Sequence, residues 1–445
     1  MGKNAIFRSV GYGLSTAVLL AITATGAAAW ENPLEHPYLK TGLDICDQGA
    51  FFVGGVPKVS NYVTSAITEG VPQQLMIGSM YVQFQVPKKR RQWPMIMVHG
   101  GGFSGSCVEA TPQGTEGWLP YSVRNNLATF VIDMAGRGRS GFDNSVFHEA
   151  RITNNLSLIP TMRVTANNAA WTNFGFGHLI PTGSTILNGL MIKHGDPADP
   201  ACTTDPAHCT YQPKLAFDAT DNEARVGAIG PAPNPANNKQ LALELYKWQV
   251  PYGDNVLPSS TCSTCTNPVV GPSETWSGRA LAELVEGLGG AIVAGHSQGV
   301  FIIHHMARFL KEDGQLGKLK GLISIEQSCD LQRYGLAADG SDFDNIPYLA
   351  FKGDYTGTDT TCVNTVNILN ARRAAGHGTA KADYIQLDDP SYGGKFNGTT
   401  HMMMMGTNSL EVFDEINKWA SANIPNPIVS TSCPSGPPPG KGPKI

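Results

Sequence analysis

Short apolar segments recur along the chain and alternate with stretches in which apolar residues are spaced as on one face of a helix. Helical spacing runs from Ala280 to Leu288 and from Val412 to Ala420, which predicts helices with one buried face. The β-branched and aromatic segments have the length of buried strands, and they are 81–86, 95–98, 129–133, 291–294, 322–325, 348–351 and 384–387. This alternation predicts an α/β fold with a mostly parallel, twisted sheet and flanking helices.

The interval 144–279 interrupts the alternation. It is rich in Asn, Pro, Gly and Thr and contains only scattered helical pieces such as 240–246. Because connections between neighbouring strands are usually far shorter, we interpret it as a large inserted cap between two parts of one core, 30–143 and 280–425. From 426 to 445 the chain turns to Pro and Gly, which predicts a flexible tail.

Composition and charge exclude several classes of protein. The 445 residues are 41% hydrophobic and 15% charged, with a formal net charge of −4. Charged residues are too sparse, and apolar residues too frequent, for a disordered chain or a coiled coil. No basic stripe is visible, which argues against nucleic acid as a partner.

The first 29 residues have the order of a secretory signal peptide. Lys3 and Arg8 precede an apolar run at 17–22, and Ala27-Ala28-Ala29 follows it. The run is too short to span a bilayer, no later stretch approaches the ~20 residues that a spanning helix needs, and no Cys follows the expected cleavage site. We therefore expect a secreted or periplasmic protein without a membrane anchor.

Nine cysteines in an exported chain indicate disulfides and leave one cysteine over. Local pairs, Cys202 with Cys209 and Cys262 with Cys265, are favoured over a zinc site, because no second ligand pair lies at the usual spacing. Cys329 and Cys362 both follow predicted strands, so they are further candidates for a bridge between adjacent loops.

The segment Gly295-His296-Ser297-Gln298-Gly299 lies between the predicted strand 291–294 and a helical run at 300–310. A Gly-x-Ser-x-Gly sequence at such a junction is typical of a sharp turn that exposes a nucleophilic hydroxyl. The start of the following helix favours negative charge. Ser297 is therefore the candidate nucleophile.

A second glycine-rich turn, His99-Gly100-Gly101-Gly102, follows the predicted strand 95–98. Its glycines leave backbone N–H groups accessible to a substrate carbonyl. We expect Gly101 or Gly102, together with the amide of Gln298, to form an oxyanion hole.

The general base of such a site is a His after the last strand. His401 follows the predicted strand 384–387 and precedes four consecutive methionines, so it is the candidate base. Two carboxylates follow earlier strands, Glu326 after 322–325 and Asp354 after 348–351. Strand position alone favours Asp354 as the acid and leaves Glu326 as the alternative.

With these segments the chain resembles a small group of exported bacterial α/β-hydrolase serine esterases whose catalytic Glu follows the sixth strand. The resemblance spans about 90–420. It rests on His99-Gly100, Thr111-Pro112, Gly117-Trp118, Ile132-Asp133, Gly136-Arg137-Gly138-Arg139-Ser140, Ala169-Ala170-Trp171, His296-Ser297-Gln298, Ser324-Ile325-Glu326 and His401-Met402-Met403-Met404. It implies Glu326 as the acid and a homodimer. The group can carry adjacent cysteines where Gly101 and Gly102 stand here.

Together these features predict a secreted serine esterase that hydrolyses small-molecule carboxylic esters through a Ser297-His401-Glu326 triad and an acyl-enzyme intermediate. The chemistry requires no metal and no organic cofactor. Two alternatives remain at this stage. An amidase or lactonase would use the same triad, and a non-catalytic binding protein would use the α/β-hydrolase scaffold alone.

Overall fold

The structure is a computed structural model that describes residues 32–63, 72–112, 114–159, 174, 247–251, 273–354 and 358–434. The expected signal peptide, most of the insertion and its helical piece at 240–246 lie outside the described residues. So do Cys202, Cys209, Cys262 and Cys265. Within the described residues, no helix combines the length and the apolar character needed to cross a membrane.

Within the ranges that the structure describes, eight strands form the main sheet and two form a small ribbon. The main strands are β1 (Ile45–Ser60), β2 (Gln73–Pro87), β4 (Met95–Val98), β5 (Thr129–Asp133), β6 (Ala291–His296), β7 (Leu319–Ile325), β8 (Tyr348–Lys352) and β9 (Ala382–Gln386), and the ribbon pairs β3 (Arg90–Arg91) with β10 (Ile428–Ser430). The main sheet has the order β1-β2-β5-β4-β6-β7-β8-β9. Its pairs from β5 through β9 are parallel, whereas β1 and β2 are antiparallel to their neighbours. The prediction of a mostly parallel sheet is confirmed.

Helices cover both faces of the sheet. They are α1 (Trp118–Arg124), α2 (Ser145–Ile152), α3 (Ser273–Gly287), α4 (Gln298–Glu312), α5 (Thr360–Ala374) and α6 (Ser409–Asn423). Alternate residues of β4 point to opposite faces, as in any strand: Ile96 joins the core beneath α3, α4 and α5, and Met97 joins the core beneath α1 and α6. The expected insertion ended at 279, but α3 already begins at Ser273 and buries Trp276.

The edge strand β1 was not predicted from the sequence. Among the described strands its partner is β2, and it is exposed over much of its length. It also contains Gly54, Gly55 and Pro57, residues that weaken a strand pattern but are tolerated at a sheet edge. An edge strand without a buried face leaves no strong alternation in the sequence.

The first residues of the expected flexible tail, 426–434, contact distant parts of the chain. The side-chain amide of Asn426 accepts from the N–H of Trp93 at 2.7 Å and donates to the Trp93 carbonyl at 3.0 Å. The β10 strand follows, and Cys433 forms a disulfide with Cys46. These partners lie more than 300 residues away along the chain, so local composition could not reveal them.

A second disulfide joins Cys329 to Cys362 and confirms the predicted bridge between the segments that follow β7 and β8. Cys107 is the free cysteine of the described part of the chain. It is fully buried, and burial raises the pKa of its thiol.

Candidate active site

Ser297 occupies the single position between β6 and α4, and its backbone is unusual. Its φ is 51° and its ψ is −122°, a conformation that costs energy for a residue with a side chain. Its N–H donates to the carbonyl of Ile325 at 2.8 Å. Gly299 allows the end of β4 to approach this turn, since a Cβ there would lie 2.6 Å from the carbonyl oxygen of Val98. The predicted strand-turn-helix junction is thus present at Ser297.

The glycine-rich turn after β4 lies directly against this junction. A Cβ on Gly100 would lie 3.1 Å from the Cβ of Ser297, so the absence of a side chain allows the two turns to meet. His99 holds the turn: its Nδ1–H donates to the Gly100 carbonyl at 2.8 Å, and its Nε2 accepts from the N–H of Met134 at 3.0 Å. Burial lowers the pKa of His99 to about 4, so the ring stays neutral at pH 7.

The side chain of Gln298 faces the same turn, where its Oε1 lies 2.8 Å from the position that a Gly101 Cβ would take. That oxygen accepts from Nη1 of Arg137 at 2.7 Å. Arg137 is 1% exposed and belongs to the Gly-Arg-Gly-Arg-Ser segment of the sequence. Gly102 has a φ of 76°. Gln298 therefore lies against the glycine-rich turn at Gly101.

Glu326 and His401 meet at the same edge of the sheet. Glu326 directly follows β7 and has a φ of 61°. Its Oε2 lies 3.3 Å from Nδ1 of His401, and its Oε1 accepts from the N–H of Gly353. Both residues are almost fully buried, at 5% and 6% exposure. In the strand order of the main sheet, β7 is the sixth strand in sequence, because β3 belongs to the ribbon.

Asp354, the acid favoured by strand position, has a different set of contacts. Its Oδ2 accepts from the N–H of Gly398, and its own N–H donates to the carbonyl of Thr399 at 3.1 Å. Both partners lie on the loop that leads to His401. Asp354 therefore contacts the backbone of this loop, whereas Glu326 faces the imidazole.

His296 packs against His401 and was not among the predicted site residues. Their ring centroids are 4.6 Å apart, and Nε2–H of His296 donates to the His401 carbonyl at 2.8 Å. Burial lowers the pKa of His296 well below its ordinary value, so this ring too is neutral at pH 7. Its position beside Ser297 in the sequence was the available signal.

Two residues of the inserted interval also reach the site. The N–H of His401 donates to the carbonyl of Phe174 at 3.0 Å, and the N–H of Val250 donates to the carbonyl of Gly102 at 2.9 Å. The ring of Phe174 is stacked on the imidazole of His401. No motif marks either residue in the sequence.

The chemistry open to this arrangement is that of an activated hydroxyl. A serine on a strained turn, an imidazole–carboxylate pair and a glycine-rich turn at one sheet edge can support acyl transfer. Across the described ranges, no group of three or more His, Cys, Asp or Glu residues is placed to hold a metal ion.

Comparisons with known proteins found similarity at the level of structure. No protein-family model and no curated protein matches the chain. A solved structure described as a novel bacterial esterase is similar with a TM-score of 0.61 at 23% sequence identity, covering 86% of this chain and 98% of the other. The structure of esterase Est22 matches at 12% identity over 83% of this chain and 79% of the other, with a TM-score of 0.30. With the strand order above, the first similarity shows that the chain has the α/β-hydrolase fold.

Proposed function

We propose that this chain is a serine hydrolase that cleaves carboxylic esters. The observation that carries the proposal is the backbone conformation of Ser297, which is strained and lies between β6 and α4. A turn of this kind presents a serine hydroxyl at the carboxyl edge of the sheet, where a nucleophile can reach its substrate. The His401–Glu326 contact and the glycine-rich turn at the same edge supply the remaining groups.

In this mechanism Ser297 attacks the ester carbonyl while Nε2 of His401 takes the hydroxyl proton. His401 then returns the proton to the leaving alcohol, which leaves the acyl group on Ser297. In the second half His401 takes a proton from water, the oxygen of that water attacks the acyl carbon, and the bond to Ser297 breaks as His401 returns the proton to its Oγ. Glu326 accepts from Nδ1–H, which holds the imidazole in the correct tautomer and stabilises its charged form. The Gly353 N–H on the other oxygen of Glu326 fixes the carboxylate in turn.

The negative charge of the tetrahedral intermediate requires preorganised donors. The amides of Gly101 or Gly102 and of Gln298 are the proposed donors, and Gln298 opens α4, where the helix dipole adds to the stabilisation. The neutral His99 keeps the glycine turn in one conformation through its bond to the Gly100 carbonyl.

The choice of an ester over an amide or lactone rests on similarity. The solved structure with the same fold is described as an esterase, and amidases or lactonases would use the same groups. Export is proposed on separate grounds. The order of charge, apolar run and small residues at 1–29 is that of a signal peptide, and the two disulfides fit an oxidising compartment.

The test combines active-site labelling with hydrolysis of a small activated ester such as p-nitrophenyl acetate. A fluorophosphonate is expected to label Ser297 in the folded protein. Ser297→Ala and His401→Ala are each expected to lower turnover by roughly 10³-fold or more, with little further loss in the double variant, because triad members act as a unit.

The matched control is Ser324→Ala, a buried serine at the end of β7, which is expected to retain both labelling and turnover. Absence of an adduct at Ser297 in folded protein would contradict the proposal and favour a binding protein on this scaffold. Additive losses in the double variant would contradict the pairing of Ser297 with His401.

A further inference from the structure

Phe174, a residue of the inserted interval, contacts His401 in two ways. Its carbonyl accepts from the His401 N–H at 3.0 Å. Its ring lies parallel to the imidazole, with an interplanar angle of 3° and centroids 5.3 Å apart. On the opposite side of the same residue, His296 donates to the His401 carbonyl. The backbone of His401 is thus held at both ends of the residue, and one face of its ring is covered by Phe174.

Phe174 is itself supported from the side of the glycine-rich turn. Phe103 directly follows Gly102, is 1% exposed, and packs against the Phe174 ring at a centroid distance of 6.1 Å and an angle of 55°. Tilted aromatic pairs at this separation attract each other. Because Phe103 is rigidly buried, it limits the positions that the Phe174 ring can take.

From these contacts we infer that Phe174 is a positioning residue for His401 and that its π face stabilises the imidazolium formed when the base takes the proton of Ser297. The inference rests on the proposed function. An aromatic face attracts a cation whose distance from the ring centroid is below about 6 Å, and the attraction grows when water is excluded. The parallel stack also keeps the imidazole in the plane in which Nδ1 faces Glu326. The inserted interval would then act on the base as well as on the shape of the substrate pocket.

The experiment compares Phe174→Leu, Phe174→Tyr and the control Phe396→Leu. Phe396 is a fully buried phenylalanine on the loop before His401, and its ring packs against Tyr392, so its replacement removes a similar volume and leaves the ring at 174 intact. Leu at 174 keeps the backbone hydrogen bond and removes the aromatic face. We expect kcat to fall about three- to tenfold and the acidic limb of the kcat/KM profile to move about half to one pH unit lower. Tyr at 174 is expected to restore both values.

The direction of the shift follows from the charge. Without the aromatic face the imidazolium is less stable, so His401 loses its proton at lower pH and is a weaker base. Phe396→Leu is expected to leave the acidic limb in place. The inference would be overturned if the acidic limb of Phe174→Leu were unchanged, or if Phe396→Leu shifted the limb by the same amount. A change in KM alone would also overturn it, because Phe174 would then be a wall of the substrate pocket.

A second measurement separates this inference from the proposed function. In the Ser297→Ala background, NMR of histidine labelled with carbon-13 follows the titration of the His401 imidazole, identified as the signal lost in His401→Ala. We expect Phe174→Leu to lower the midpoint of that titration there too. If the wild type hydrolyses no ester but Phe174→Leu still lowers the midpoint, the proposed function is wrong and the inferred effect of Phe174 on His401 is confirmed. If ester hydrolysis is present and the midpoint does not move, the inference fails alone.

Discussion

The neighbouring strands β7 and β8 each end near a buried or half-buried carboxylate, and the two carboxylates have different partners. Glu326 follows β7 without an intervening residue and faces Nδ1 of His401. Asp354 comes two residues after β8 and accepts from the backbone of Gly398. One carboxylate contacts the imidazole and the other contacts the loop that carries it. The comparison teaches that strand position alone does not decide which carboxylate lies against the imidazole.

The two regions also depend on each other. The N–H of Gly353, just after β8, donates to Oε1 of Glu326, and the N–H of Glu326 donates to the carbonyl of Phe351 at 3.0 Å. Farther from the sheet, the disulfide between Cys329 and Cys362 connects the same two segments. The end of β8 therefore supports the carboxylate that follows β7.

The largest expected effect comes from neutralising each carboxylate in turn. Glu326→Gln should lower turnover by roughly 10²–10⁴-fold, because an amide neither fixes the imidazole tautomer nor stabilises the imidazolium. Asp354→Asn should cost less than about tenfold, since an amide oxygen still accepts from the Gly398 N–H. The measurement is kcat/KM on one small ester for variants with matched melting temperatures. The reverse ranking would transfer the acid role to Asp354.

A smaller effect is expected from changing the length of the side chain at constant charge. Glu326→Asp withdraws the carboxylate from a contact that is already 3.3 Å long, so turnover should fall by roughly 10- to 100-fold, less than in Glu326→Gln. The matched change Asp354→Glu keeps the charge beside Gly398 and should leave turnover within about threefold. Equal losses of turnover in the two variants would show that turnover depends more on the placement of the loop before His401 than on the contact of a carboxylate with the imidazole.

Local chemistry explains which parts of this site were predictable. Ser297 and the glycines at 100–102 could be proposed from the sequence because a strand-turn-helix junction and a tight turn require particular residues at adjacent positions. The bounds of β4 and β5 agree with the predicted apolar segments because every residue of both strands is buried. The choice between Glu326 and Asp354 depends on where two strands end in space, and spacing along the chain does not contain that information.

The contacts that sequence reasoning missed are distant in the chain. His401 and Phe174 are separated by more than 200 residues, and Phe174 lies in a segment without periodicity. The attachment of 426–434 depends on one asparagine and one cysteine, whose partners no local pattern identifies. Such contacts follow from tertiary packing, which overrides composition.

Removing the disulfide tests how far the segments after β7 and β8 depend on this link. The double change Cys329→Ser and Cys362→Ser opens a loop with a sequence separation of 33, which should lower the free energy of unfolding by about 4 kcal/mol. Chemical denaturation at fixed pH measures it. At temperatures where the variant remains folded, turnover should change less than in Glu326→Asp, because hydrogen bonds at the strand ends remain. A loss of turnover without loss of stability would mean that the disulfide directly positions Glu326.

The smallest expected effect concerns the support beneath the two strands, and it depends on pH. His304 on α4 is fully buried, and its Nε2 lies 3.1 Å from the hydroxyl of Tyr348, the first residue of β8. Burial lowers the pKa of His304 from 6.5 to about 4. Below about pH 6.5 the unfolded chain therefore binds a proton that the folded chain does not, so this contribution to stability is complete above pH 6.5 and is lost progressively towards pH 4.

Between pH 6.5 and pH 5 this single histidine should lower the free energy of unfolding by about 2 kcal/mol. His304→Gln removes the titration, so its stability should fall by about that much less over the same interval, whatever its stability at neutral pH. Urea denaturation at the two pH values measures both proteins. Equal slopes for the wild type and His304→Gln would show that the folded protein accommodates the proton on His304, and that the packing beneath β8 is looser than the contact with Tyr348 indicates.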